Sequence, residues 1–216
     1  MASETNRSNS IESEHPHLDE DQSSRLYIIY RKPFRRHYEV KSSVDQLIYY
    51  GEVSSFTRGK PDIILHRGTS ANAPVVAASK IIKLSGNFKL ALGNPDDVNN
   101  VQWEDMTKDS WKQRTYRFEV NMPDQTRRVF LWKRTRMSID GSTHSWRSRN
   151  YKLVDERTKE LVAVLTNKRS LSEGSKLQIK EDHGEWFDRV ILLAYISIHE
   201  KLRRRDNQNA AVAAGS

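Results

Sequence analysis

The chain has 216 residues, a formal net charge of +8 and a hydrophobic fraction of 36% beside 30% charged residues. That length accommodates one substantial domain or two small ones, and that composition is typical of a globular protein and not of a membrane protein. There are no cysteines, which excludes disulfides, thiolate nucleophiles and cysteine-based zinc sites.

The two ends of the chain differ in composition from its body. Residues 1–24 are polar, serine-rich and almost free of large apolar side chains, so we predict that they are disordered. They also lack a basic segment followed by an apolar one, so we predict no secretory signal and expect an intracellular protein, cytoplasmic, nuclear or peripheral at a membrane. Residues 206–216 are small and polar, and we predict a flexible C-terminal tail there.

The body is more basic than the net charge suggests. Residues 1–25 and 206–216 hold two of the 36 basic and seven of the 28 acidic residues, which leaves 34 and 21 between them, a net charge of +13. Such an excess attracts nucleic acid, anionic membranes or acidic proteins, although it also serves general solubility.

Short runs rich in aromatic and β-branched residues alternate with turn signals along the body. Their near-regular spacing predicts a β-barrel or a β-sandwich. Eleven runs are predicted to be strands: Leu26–Tyr30, Leu47–Val53, Asp62–His66, Val75–Ile82, Phe88–Leu92, Val101–Met106, Tyr116–Val120, Val129–Arg136, Trp146–Asp155, Leu161–Thr166 and Leu177–Lys180.

The last element of the body has a helical pattern. Residues 185–205 contain no glycine or proline, and acidic side chains near the start and basic ones near the end suit the helix dipole. The stretch Val190–Ile196 is apolar on every side, whereas a surface helix shows one apolar stripe. It spans about 10 Å, far less than the about 30 Å of a bilayer core. We therefore predict a helix buried in protein, with these side chains fully inside: Val190, Leu193, Ala194 and Ile196.

Three segments carry a resemblance to a known family: residues 49–68 (YYGEVSSFTRGKPDIILHRG), 88–95 (FKLALGNP) and 151–167 (YKLVDERTKELVAVLTN). Together with the apolar helix they resemble the tubby C-terminal-like superfamily, above all its uncharacterised fungal members, and more loosely phospholipid scramblases and plant LURP-one-related proteins. The resemblance implies one domain over residues 25–205, a closed antiparallel β-barrel of about twelve strands around a central hydrophobic helix at about 185–205. A closed barrel also removes edge strands, which agrees with the strand pattern.

Catalytic and metal-binding motifs are not found. The phosphoinositide-contacting motif of true tubby proteins is missing, so no lipid-binding residue carries over. Residues 181–185 occupy the place of the acidic, EF-hand-like segment of scramblases without the alternating oxygen ligands of a calcium loop. There is no phosphate-cradling glycine loop, G-x-S-x-G elbow or H-E-x-x-H motif. We therefore expect a protein that is not an enzyme and has no cofactor, catalytic residue or metal site.

A basic hairpin is the most informative polar feature. If Asp140-Gly141 forms its turn, Arg134 faces Arg147 and Trp132 faces Arg149. Like charges directly opposite one another are destabilising by about 0.2–1 kcal/mol, and a hairpin that keeps such a pair can be holding it for an anionic ligand. The alternative is that the register differs or that nearby acids neutralise the pair. The candidate ligand-binding residues are Arg127, Arg128, Lys133, Arg134, Arg136, Arg147 and Arg149.

A second basic cluster closes the helix, with Lys201, Arg203, Arg204 and Arg205. We interpret it as a match to the helix dipole, with phosphate binding or nuclear import as the alternative. The expected function is a binding module for anionic phospholipid or phosphoinositide headgroups, with a nucleic-acid or protein interaction module as the alternative. Nucleic-acid binding favours aromatic side chains exposed beside a cationic track, so exposure of Trp132 and Trp146 would separate the two.

Overall fold

The computed structural model describes residues 25–31, 36–54, 57, 59–83, 85–109, 115–141, 149–167 and 174–215. Within them, each β-strand pairs antiparallel with its neighbours along the chain, and β1 pairs with β12 to close a barrel. The elements are β1 (Arg25–Arg31), β2 (His37–Ser42), β3 (Leu47–Val53), β4 (Ile63–Arg67), β5 (Val75–Ile81), β6 (Phe88–Leu92), β7 (Gln102–Lys108), β8 (Thr115–Asn121), β9 (Arg127–Thr135), β10 (Asn150–Asp155), β11 (Leu161–Thr166), β12 (Ser175–Ile179) and α1 (Gly184–Ala214). The predicted fold class, a closed twelve-stranded antiparallel barrel with a C-terminal helix, is confirmed.

Helix α1 fills the core of the barrel. Its apolar side chains form a single buried cluster with inward-facing side chains from all twelve strands. The four residues predicted to be fully buried, Val190, Leu193, Ala194 and Ile196, are each 1% exposed or less. The helix is apolar on every side because every side meets the inner surface of a closed sheet.

The C-terminal end of α1 differs from the prediction. The helix does not end at residue 205 but runs to Ala214, into the segment expected to be a flexible tail. Residues 207–214 contain four alanines and no glycine or proline before Gly215, and alanine is the strongest helix former. The predicted disorder of residues 1–24 lies outside the described residues. No helix in the described part of the chain combines the length and the apolar character needed to cross a bilayer.

The barrel has two mouths, because the connections between antiparallel neighbours alternate between its ends. At the start mouth lie the β2–β3, β4–β5, β6–β7, β8–β9 and β10–β11 connections and the beginning of α1. At the exit mouth lie the β1–β2, β3–β4, β5–β6, β7–β8, β9–β10 and β11–β12 connections, past which the C-terminal half of α1 leaves the barrel.

Candidate functional site

The basic residues predicted to form a site on the hairpin are divided between the two faces of the sheet. Trp132 points inward, towards α1. Because side chains alternate along a strand, Arg128 and Arg134 share its inward side, whereas Arg127 and Lys133 point outward. The strand geometry therefore prevents these four side chains from forming one surface.

Carboxylates neutralise two of these arginines. Arg127 donates to Glu104 Oε2 at 2.8 Å and to Glu119 Oε2 at 2.9 Å. Arg128 lies at 2.7 Å from Asp155 Oδ2, whose carboxylate is buried. These ion pairs hold Arg127 and Arg128 within the fold.

The predicted opposition of Arg134 and Arg147 is wrong. In the β9–β10 register Arg134 lies opposite Tyr151, and Arg147 lies outside the described residues. The register differs because the chain leaves the ladder after β9, and the Ile139 N–H donates to Thr166 Oγ1 of β11 at 2.9 Å. The predicted turn is thus part of a longer connection that packs against β11.

The predicted opposition of Trp132 and Arg149 is also wrong. Trp132 lies opposite Leu153 and is fully buried, so it offers no surface for stacking a base. Arg149 precedes β10, and its Nη1 donates to Asp206 Oδ2 of α1 at 2.6 Å. Trp146 lies outside the described residues.

The two remaining candidates on the hairpin lie on the outside. Lys133 faces Lys152 directly across the β9–β10 ladder, and Arg136 is exposed just after β9. Like charges opposite one another on an outer face weaken the pair slightly. The structure therefore does not bring the described hairpin candidates together into one pocket.

A cleft of about 1180 Å³ at the exit mouth, which we call the lysine cleft, concentrates positive charge more effectively than the hairpin does. It lies between α1 and the β3–β4 and β5–β6 connections, and it includes the end of β7. Its described lining has one carboxylate, Asp62, and seven basic residues: Lys60, Lys80, Lys83, Lys108, Lys201, Arg204 and Arg205.

Lys201 is the central cation of this lysine cleft. Its ammonium is buried, has no hydrogen-bond partner among the described residues, and lies 4.9 Å from the centre of the Phe88 ring. Burial, and then the positive charges of Lys108 and Arg205, lower the pKa of Lys201 to about 8. The ammonium therefore remains protonated at neutral pH, although no carboxylate in the described part of the chain pairs with it.

Gly86 lets the β5–β6 connection approach this cation. A side chain at Gly86 would place a Cβ 3.4 Å from Lys201 Nζ and 3.1 Å from Lys108 Cδ. Gly86 also has a φ of +88°, in the left-handed region that favours glycine. The two lysine side chains consequently converge beside a bare stretch of backbone.

Arg204 fixes the wall of the lysine cleft. It donates to Asp62 Oδ1 at 2.6 Å, to Glu200 Oε1 at 3.0 Å and to the carbonyl of Ser54 at 2.9 Å. Asp62 in turn accepts from the N–H of Ile81 at 2.8 Å. The single carboxylate of the described lining is thus already engaged by Arg204 and by the backbone of Ile81.

The interpretation of the second basic cluster as a dipole match does not hold. Because α1 continues to Ala214, its last turn contains no basic residue. Lys201, Arg204 and Arg205 are spaced three and four residues apart and share one helix face, which lines the cleft. That spacing was the available sequence signal, whereas Lys60 lies in the β3–β4 connection and Lys108 at the end of β7, and no local pattern links either to the helix.

The acidic segment before α1 is occupied by ion pairs. Asp182 lies 2.6 Å from Arg25, Glu181 lies 3.3 Å from Arg128, and Glu185 binds Arg67 and the hydroxyl of Tyr49. Among the described residues, no group of three or more acidic or histidine side chains could hold a metal ion.

Comparisons with known proteins show no family for this chain. No family model matches the sequence, and no curated protein matches it. A solved structure of a protein from Arabidopsis thaliana is similar over 81% of this chain and 91% of that chain, with 13% sequence identity and a TM-score of 0.49.

Proposed function

We propose that this protein is a non-enzymatic binding module for phosphorylated anionic headgroups, and that the lysine cleft is its binding site. The observation that carries the proposal is the buried ammonium of Lys201 in a strongly basic cleft, where none of the residues that the structure describes forms a hydrogen bond with it.

Charge balance supports an anionic ligand. Seven cations face one carboxylate in the described lining of the cleft, and that carboxylate is bound by Arg204. A buried cation without a partner is costly, and a bound anion would supply the missing counter-charge. Lysine ammonium groups act on phosphate as point charges, so a ligand with several phosphate groups suits this lining best.

The shape of the site favours a headgroup over a nucleic acid. Binding of single strands relies on exposed aromatic side chains along a cationic track. Trp132 is fully buried in the barrel. A concave lysine cleft requires only a compact polyphosphorylated group, which a phosphoinositide lipid or a free inositol phosphate could provide. If the ligand is a phosphoinositide lipid, the protein would be located at an anionic intracellular membrane surface.

We also propose kinship with the tubby C-terminal-like superfamily and its fungal members. The three segments that carry the resemblance form the β3–β4 hairpin, β6 and the β10–β11 hairpin. The barrel and its filling helix are the architecture that the resemblance implies.

Two double variants of equal charge change separate the cleft from the hairpin. The protein is sedimented with three kinds of liposome: phosphatidylcholine alone, phosphatidylcholine with phosphatidylserine, and phosphatidylcholine with phosphatidylinositol bisphosphate. The two anionic preparations carry the same total charge. We expect the wild type to prefer the bisphosphate liposomes. The cleft variant, Lys60→Glu with Lys108→Glu, should lose binding at least tenfold. The hairpin variant, Lys133→Glu with Lys152→Glu, should bind like the wild type. If the hairpin variant lost liposome binding and the cleft variant kept it, the binding site would lie on the hairpin.

Calorimetry with soluble inositol hexakisphosphate distinguishes the source of the headgroup. Binding of the soluble compound without binding to liposomes would identify a free phosphate ligand. A gel-shift assay with RNA and DNA at the same salt concentration tests the rival function. Binding to nucleic acid without binding to liposomes or to inositol hexakisphosphate would overturn the proposal.

A further inference from the structure

The two mouths of the barrel carry opposite net charges. Counted from the sequence, the six connections at the exit mouth hold thirteen basic and four acidic residues, a net charge of +9. The five connections at the start mouth hold two basic and six acidic residues, a net charge of −4. Such a separation along the barrel axis turns the whole molecule near a flat anionic surface, so that the exit mouth faces that surface.

The described residues show the same polarity on the surface of the protein. At the exit mouth Arg36 and Arg136 are exposed, and the lysine cleft adds seven basic side chains to one carboxylate. At the start mouth the exposed charges at the tips of three connections are carboxylates: Asp45, Asp96, Asp97 and Asp124.

The last two turns of α1 leave the basic exit mouth without any charge of their own. Asp206 is the last charged residue of the helix, and it pairs at 2.6 Å with Arg149, just before β10. Residues 207–214 are all exposed, and residues 210–214 are four alanines and Val212. At 1.5 Å per residue, the helix continues for about 12 Å beyond Asp206.

A bilayer surface matches both properties of the exit mouth. The polar layer on each side of the hydrocarbon core is about 5–8 Å thick, so a helix end of about 12 Å passes through it. Residues 210–214 then lie at the boundary with the acyl chains, while the basic side chains around the helix lie at the level of the lipid phosphates. A nucleic acid offers similar phosphate charge but no hydrocarbon layer behind it.

The start mouth does not combine these properties. Val44 is 79% exposed and Val98 is 82% exposed there, which is similar to the 74% of Val212. However, Val44 adjoins Asp45, and Val98 follows Asp96 and Asp97. An anionic surface repels these carboxylates, so exposed valines alone do not make the start mouth a membrane contact.

We infer that the exit mouth is a membrane-docking face. It rests on an anionic bilayer with the end of α1 inserted among the headgroups, and the start mouth faces the water. The inference rests on the function proposed for the lysine cleft and deepens it, because it assigns the headgroup to a lipid and fixes the orientation of the barrel at the membrane.

A chain without cysteine allows a single label to be placed at either mouth. Val212→Cys and Val98→Cys are each labelled with a polarity-sensitive NBD dye and mixed with liposomes of phosphatidylcholine, phosphatidylserine and phosphatidylinositol bisphosphate. We expect the emission at position 212 to increase and shift to the blue, and to be quenched by spin-labelled lipid, whereas the emission at position 98 stays unchanged. A response at position 98 alone, or at neither position, would overturn the inference.

Charge-matched variants separate the docking face from the headgroup site. Val212→Asp should weaken binding to these liposomes about fivefold, because a carboxylate enters the headgroup layer. It should bind inositol hexakisphosphate like the wild type, since the described lining of the lysine cleft reaches no further along α1 than Gln208. Val98→Asp should leave both affinities unchanged.

The two measurements fail independently of each other. If all three proteins bound the liposomes equally and also bound inositol hexakisphosphate, the docking face would be wrong and the lysine cleft would remain the binding site. If the label at position 212 entered the bilayer but no protein bound inositol hexakisphosphate, the docking face would hold and the lysine cleft would be overturned as the headgroup site.

Discussion

Arg25 binds the buried carboxylate of Asp188 through two hydrogen bonds of 2.6 and 2.7 Å. Tyr27 donates to the same carboxylate at 2.7 Å, and Arg25 also reaches Asp182 at 2.6 Å. The first residue of β1 is thereby joined to the first turns of α1, 163 positions later in the chain. This contact ties the beginning of α1 to β1 at the start mouth.

Replacing Arg25 with methionine should destabilise the protein by about 3 kcal/mol, near the lower end of the range for a buried ion pair that loses one partner, because Tyr27 would still donate to Asp188. Urea unfolding followed by circular dichroism measures the change. Lys41→Met is the control, since it breaks an exposed pair with Asp45 and should leave the unfolding midpoint unchanged. A midpoint for Arg25→Met equal to that of the control would show that the start mouth is not fixed by this pair.

Burial of α1 gives a second prediction. Leu193 is fully buried and Val212 is 74% exposed on the same helix. Leu193→Asp should unfold the protein, because an unpaired carboxylate in the core costs several kcal/mol against a total stability of about 5–15 kcal/mol. Val212→Asp should retain the wild-type thermal midpoint. Soluble, cooperatively folded Leu193→Asp protein would contradict the central position of the helix.

Much of the fold could be predicted from the sequence, because strand alternation and helix composition are local signals. Strand β2 was missed because its alternating pattern is short and contains only two large apolar side chains, Tyr38 and Val40. The hairpin register could not be predicted, because it depends on the contact of Ile139 with Thr166, 27 residues away. The lysine cleft was missed for the same reason, as its walls come from separate connections.

The burial of His199 predicts a pH dependence of stability. Its pKa falls from an ordinary 6.5 to about 4 in the folded protein, so the unfolded chain binds a proton more tightly. Stability is therefore fully present above pH 6.5 and declines as the pH falls from 6.5 towards 4. This histidine should account for a loss of about 2 kcal/mol between pH 7 and pH 5.

The matched variant for this pH dependence is His199→Gln, which cannot titrate. Free energies of unfolding from urea titrations at pH 7 and pH 5 should differ by about 2 kcal/mol less in the variant than in the wild type. Identical pH dependence of the two proteins would show that His199 takes up its proton equally well in the folded state.

Lys201 should show opposite effects on stability and on binding. Its pKa falls from 10.5 to about 8 in the folded protein, so the unfolded chain again holds the proton more tightly. The wild type should therefore gain stability as the pH rises from 8 towards 10.5. Lys201→Met keeps most of the apolar stem over Phe88 and removes the unpaired charge, so its thermal midpoint at pH 7 should equal or exceed that of the wild type.

The same variant should lose affinity for inositol hexakisphosphate, because the ammonium at the centre of the lysine cleft is gone. Lys152→Met, which removes one charge from the outer face of β10, should change neither the midpoint nor the affinity. A Lys201→Met protein that is less stable than the wild type and still binds the phosphate compound normally would assign Lys201 a purely structural role. Higher stability with weaker binding would instead identify a cation that the fold tolerates at a cost because a ligand uses it.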